Sequence, residues 1–244
     1  MLWLTGCQST GHHLSPEKTA KSAKIHFQLG INALYSGDLP KAFEELMRSN
    51  KILPKQPEVL DSLAYAWRVR GDNVKAEALY RQSLAIHSRP STETNFGSLL
   101  VVLKRYGEAE VHLHIALQDP RYQKQYISLI HLGDALLGQH RFNSAIQAYQ
   151  QASSFKPSQN ISKLREAAAY VQTQRFNDAQ ALYERMLNKD SNNRPALEGL
   201  IAILVKQHQI RTARQYMARY IEKEKKPLNR AWANDELIRL GQML

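Results

Sequence analysis

The chain has 244 residues, 43% hydrophobic and 23% charged, a composition that fits one or two globular domains and excludes a disordered tail. With 11 glycines and 9 prolines it is too poor in turn-formers for a β-sandwich, and its apolar runs, such as Leu99 to Leu103, fall far short of the roughly 20 residues of a membrane-spanning helix. A formal charge of +11 invites an anionic partner but says nothing of fold, and a lone cysteine excludes an internal disulfide.

At the start, Leu4-Thr5-Gly6-Cys7 resembles the bacterial lipoprotein box, in which the thiol is lipidated and the cysteine becomes the mature first residue. A basic region and an apolar stretch should precede such a box, and only Met1-Leu2-Trp3 do. Residues 1–7 therefore read as a truncated signal, from a late start codon or a trimmed chain; the alternative is a coincidental match on a cytosolic protein. Residues 8–22 read as a flexible tether, polar from Gln8 to Ser15, with His12-His13 as solvated linker. Each acyl methylene buried contributes about 0.8 kcal/mol, so several chains on Cys7 make a near-permanent anchor. Gln8 rather than Asp after the cysteine resembles lipoproteins sent to the outer membrane.

Residues 23–227 repeat. Alanine recurs at 42, 76, 109, 145, 179 and 213, with spacings of 34, 33, 36, 34 and 34. Twelve positions before it stands a small residue (Gly30, Ala64, Gly97, Gly133, Ala167, with Ile201 the exception). Four positions after it stands a bulky one (Leu46, Tyr80, Leu113, Tyr149, Tyr183, Met217). Small residues let two helices cross closely while larger neighbours fill the space beside the crossing. Turns are expected at Ser36-Gly37-Asp38, Arg70-Gly71-Asp72, Arg105-Tyr106-Gly107 and Gln139-His140-Arg141. This is the tetratricopeptide frame, which predicts an all-α, right-handed solenoid of six helix pairs starting near 23, 57, 90, 126, 160 and 194. The longer spacing falls at Asp119 to Tyr126, read as a surface insertion. Residues 228–244 read as a capping helix, with Ala233, Leu237, Leu240 and Leu244 at helical spacing.

Nothing in the chain converges on chemistry. His112 and His114 point to different faces of a helix, and there is no His-Glu-x-x-His, Cys-x-x-Cys, phosphate loop or Gly-x-Ser-x-Gly elbow, so the chain reads as a non-enzyme without metal, cofactor or small-molecule substrate. Function is expected on the first helix of each pair. Counting within the frame places Phe27, Ile31 and Leu34, then Asp61, Tyr65 and Arg68, then Thr94, Ser98 and Val101, then Ile127, Ile130, Asp134 and Leu137 on the inward face. Apolar anchors with a few polar groups suit an extended or helical peptide, although any single apolar residue here is as well read as core between repeats. Between Lys206 and Arg230 eight cations face two glutamates, a net +6. That stretch reads as a solvated face or a contact for anionic lipid or an acidic partner. Without an aromatic stacking ladder, nucleic acid is not expected.

Lipoprotein box, tether, six tetratricopeptide units and cap together resemble the PilF/PilW family of type IV pilus biogenesis lipoproteins, the pilotins. Asn95-Phe96-Gly97 followed by Lys104-Arg105-Tyr106-x-Glu108-Ala109 is similar to that family's Asn-Tyr-Gly…Lys-Arg-Tyr-x-Glu-Ala, and Tyr122, eleven residues before Gly133, keeps its register, with Gln123 where the family has proline. The resemblance implies a monomeric outer-membrane protein, anchored at Cys7 on the periplasmic face, that binds the secretin subunit and promotes its localisation and multimerisation. The alternatives are a general periplasmic adaptor for another envelope or secretion complex, or a cytosolic scaffold if the box is accidental.

Overall fold

The computed structural model describes residues 15–243. The truncated signal, Cys7, most of the expected tether, and Leu244 of the expected cap lie outside them. Among the described residues the chain is all helix: α1 Pro16–Ser36, α2 Leu39–Ile52, α3 Pro57–Arg70, α4 Asn73–Ile86, α5 Pro90–Val102, α6 Tyr106–Leu117, α7 Gln125–Gly138, α8 Phe142–Phe155, α9 Asn160–Gln172, α10 Phe176–Lys189, α11 Arg194–Lys206, α12 Ile210–Lys223 and α13 Pro227–Gly241. None of these is long and apolar enough to cross a membrane. The helices fall into two compact units, residues 1–99 and 100–244.

Helix α1 corrects the expected tether, since residues 16–22 are its first two turns. Proline at its first position needs no amide partner, Glu17 faces the positive end of the helix dipole, and Ser15 accepts a hydrogen bond from the Lys18 amide. Lys, Ala and Glu are strong helix formers, so the polar composition that suggested a linker serves an exposed helix face equally well.

The repeat frame is realised in the packing. All six frame alanines are completely buried, and the bulky residues four later are at most 6% exposed. In the first unit a Cβ on Gly30 would stand 2.6 Å from Leu46 Cγ; in the second, one on Gly133 would run into the Tyr149 ring. Where the frame has Ile201, a glycine appears two residues earlier, and Gly199 lies against Tyr183 of the preceding pair. Two buried serines add hydrogen bonds between the two helices of a pair in the first unit: Ser49 donates to the Ala23 carbonyl and Ser83 to that of Pro57, each at 2.8 Å.

Within each pair the first helix ends in the same turn. Gly37, Gly71, Lys104, His140, Gln174 and His208 all have positive φ, between 59° and 92°. Each amide bonds to the carbonyl three residues back, and the next amide to one five back, as in Lys104→Val101 with Arg105→Leu100 and His208→Val205 with Gln209→Leu204. Gly107 corrects the sequence reading: the left-handed residue of its turn is Lys104, and Gly107 lies inside α6. After Gly37 and Gly71 an aspartate caps the second helix, Asp38 accepting from Lys41 N and Asp72 from Lys75 N. Arg105, Arg141, Arg175 and Gln209 take that place in the later pairs and form no side-chain cap.

At the carboxyl end Glu224 links α12 to α13. It is 5% exposed and accepts from Tyr220 Oη, Asn229 Nδ2 and the Lys226 amide at 2.8–2.9 Å. These bonds hold its pKa down to about 2.

Candidate binding groove

In the first unit, α1 and α3 are neighbours and leave a cleft of about 240 Å³ between them. Ala20, Ala23, Phe27, Leu53 and Val59 give it apolar walls, with Lys24 and Glu58 among its polar residues. Phe27 and Leu34 are half-buried and pack on the cluster of Leu46, Val59 and Leu63, so both are core residues, with Phe27 also offering a face to the cleft. Ile31 between them is half-buried.

Glu58 joins this cleft to a polar cluster carried by α3 and α5. Its carboxylate meets Arg89 Nη1 at 3.0 Å, while Arg89 Nη2 donates to Thr92 Oγ1 at 3.1 Å and lies 3.8 Å from Asp61. Asn95 Nδ2 donates to Asp61 Oδ1 at 3.2 Å. Burial raises the Asp61 pKa above the ordinary carboxylate value, outweighing the Asn95 hydrogen bond and the Arg89 charge. One turn on, the Arg68 guanidinium sits 5.0 Å from the centre of the Tyr65 ring, a cation–π distance. Arg68 Nε is buried, and the guanidinium opposes the upward shift that burial gives the pKa of the equally buried Tyr80 hydroxyl. A half-buried guanidinium beside an aromatic face suits a carboxylate of an incoming peptide.

Not every expected groove residue is available. Thr94 is 2% exposed and its hydroxyl donates to the Pro90 carbonyl of its own helix, and Ser98 is 8% exposed. Val101 is half-buried. In the second unit Ile130 is 7% exposed, a core residue, with Ile127 and Leu137 half-buried. Asp134 is held by three partners: Tyr149 Oη donates to it at 2.8 Å, Arg165 Nε is 3.5 Å away and His131 Nδ1 3.8 Å. Burial, reinforced by Asp134, pushes the Tyr149 hydroxyl pKa up. The structure thus brings Asp61, Tyr65 and Arg68 together with Phe27's cleft and adds Glu58, Arg89 and Asn95. Glu58 holds the second position of its unit, a frame position; Arg89 precedes its helix and gave no periodic signal. Among the described residues no group of His, Cys, Asp and Glu is arranged to hold a metal ion.

Helix pairs with this buried alanine frame define an all-α tetratricopeptide-repeat protein, a fold whose members bind other proteins along stacked helices. The family model described as "Tetratricopeptide repeat" matches residues 136–201. The chain is similar to the type IV pilus assembly protein PilF of Pseudomonas aeruginosa, 32% identical over 127 residues, half of this chain and half of that protein. It also matches mouse Superkiller complex protein 3, at 23% identity over 75% of this chain and 14% of the relative. Among solved structures, P. aeruginosa PilF superposes with a TM-score of 0.72 at 22% identity, covering 90% of this chain and 99% of that one. PilW, described as a widely conserved type IV pilus biogenesis factor, gives 0.76 at 20% identity over 82% and 93%. The likeness to PilF and PilW read from the sequence is borne out, and the match to curated PilF spans half of that protein's length.

Proposed function

We propose that this chain is a pilotin of type IV pilus biogenesis, a lipoprotein that binds the secretin subunit and promotes its outer-membrane localisation and multimerisation. The observation that carries this reading is the cleft beside Phe27, continued through Glu58 to Asp61 and the Arg68–Tyr65 pair, in a chain similar to PilF and PilW. Apolar walls supply affinity and the polar cluster register. An anchor at Cys7 would raise the local concentration of captured subunits at the membrane without any new contact.

Replacing Tyr65 and Arg68 together by alanine spares the residues that pack the core and is expected to weaken secretin capture in a pull-down while the melting profile holds. Undiminished capture would remove the site from this groove. Cys7→Ala is expected to leave a folded protein and mislocalised secretin, and normal outer-membrane rings in that strain would overturn the anchor. The second reading, an adaptor for another envelope complex, draws on the similarity to Superkiller complex protein 3, since one fold serves many assemblies. Secretin rings that form normally in a strain lacking the protein would favour it.

A further inference from the structure

In the second unit, helices α8 to α12 line three open cavities of about 390, 490 and 120 Å³. The first two share Arg185 and the last two share Asn188, so they adjoin in turn around α10, which is the common wall of this trough. Its floor includes Leu182, Met186 and Leu197, each at most 5% exposed. Three acidic residues line it, and all are engaged. Glu166 accepts from Gln150 and Tyr170, Glu184 from Gln180 and Tyr216, and Asp178 pairs with Arg175.

The cations are not engaged in this way. Arg185, Lys189, Arg219 and Lys223 are exposed and form no ion pair among the described residues, and Lys163 donates only to the Pro157 carbonyl. Five cations against three carboxylates, of which only Asp178 has an ion-pair partner, leave this surface net positive, the complement of a chain segment that alternates carboxylates with apolar side chains. We propose that this trough is a second protein-binding site, taking an extended acidic segment of a partner. It uses no residue of the groove on α1, α3 and α5. Cavities with apolar residues beneath them favour a peptide, whose side chains enter them, over a flat layer of lipid headgroups. The tyrosines along it are no stacking platform for bases, because Tyr170 and Tyr220 are buried and Tyr216 is tied to Glu184.

The test uses the full chain and a fluorescein-labelled peptide of about eight residues, alternating Asp or Glu with Leu, read by fluorescence anisotropy at low salt. The peptide is expected to bind, to weaken as salt is added, and to lose about tenfold in affinity when Arg185 and Lys189 are reversed to glutamate, with a similar loss for Arg219→Glu with Lys223→Glu. An unchanged melting curve for these surface variants shows that the loss is local. Equal binding of the Asn/Gln version of the peptide, or affinity that survives both double reversals, overturns the proposal. So does a chain that binds phosphatidylglycerol vesicles or single-stranded oligonucleotide through these cations but not the peptide.

Discussion

His208→Gly combined with Gln209→Asp gives the last helix pair the Gly-Asp turn of the first two. His208 is exposed with φ of 60°, a left-handed conformation that costs a residue with a Cβ about 1–2 kcal/mol. Glycine removes that cost but returns about 0.4–1 kcal/mol through the greater freedom of the unfolded chain, leaving a net gain of about 0.5–1 kcal/mol. Gln209 makes no side-chain cap on α12, and an aspartate there is expected to accept from the amide three residues on, as Asp72 does from Lys75 at 3.0 Å. Such a cap contributes about 1 kcal/mol. The pair of changes should therefore add about 1.5–2 kcal/mol, which raises the melting temperature by about 3–8 °C for a chain of this size. Native-state hydrogen exchange should place the gain in the amides of α11 and α12. The mirror experiment is Gly71→Ala, where φ is 92° and a Cβ would meet nothing within 4 Å, so only the backbone conformation is perturbed. With the same unfolded-state offset, a net loss of about 0.5–1 kcal/mol is expected there. If the double variant melts at or below the parent while Gly71→Ala is neutral, the left-handed turns are not strained and the reasoning fails.

Other expectations follow from single contacts. Gly133→Ala drives a methyl into the Tyr149 ring and should destabilise by about 1–3 kcal/mol in urea titration, with Gly107→Ala, where a Cβ meets nothing inside α6 and stability should rise by up to about 1 kcal/mol, as the control. Ser83→Ala leaves the Pro57 carbonyl without its 2.8 Å partner and should cost about 0.5–1.5 kcal/mol. Glu224, whose pKa is lowered from 4.5 to about 2 by the bonds it accepts, stabilises the α12–α13 junction fully above pH 4.5 and loses that contribution as pH falls toward 2. Limited acid proteolysis should then release α13, and Glu224→Gln should already show weakened docking at neutral pH, with a flatter acid response.

The alanine spacing was enough to read every helix pair, because a crossing that admits only a methyl group leaves a mark in the residue type itself: Ala42, Ala76, Ala109, Ala145, Ala179 and Ala213 are all fully buried. The start of α1 was not legible, since polar helix formers from Glu17 to Lys24 have the composition of a tether. Of the later turns, Gln139-His140-Arg141 was read in place, while those at Lys104, Gln174 and His208 were not, because these residues adopt a glycine-like conformation that backbone hydrogen bonds impose. At the groove, periodicity found Asp61, Tyr65 and Arg68, while Arg89 and Asn95 reach Asp61 from 28 and 34 residues away, a proximity that only the stacking of pairs creates.

The six left-handed corners also make this chain easy to instrument. Each is exposed, each is fixed by main-chain bonds, and each stands at an equivalent place in its pair. Lys104, His140, Gln174 and His208 already tolerate a side chain in that conformation, so a cysteine at any one of them should leave the fold undisturbed. With Cys7 replaced, such a chain carries a single thiol at a known corner. Spin or fluorescent labels attached there, one or two at a time, turn the corners into a ruler with one mark per repeat, against which the binding of a partner could be followed.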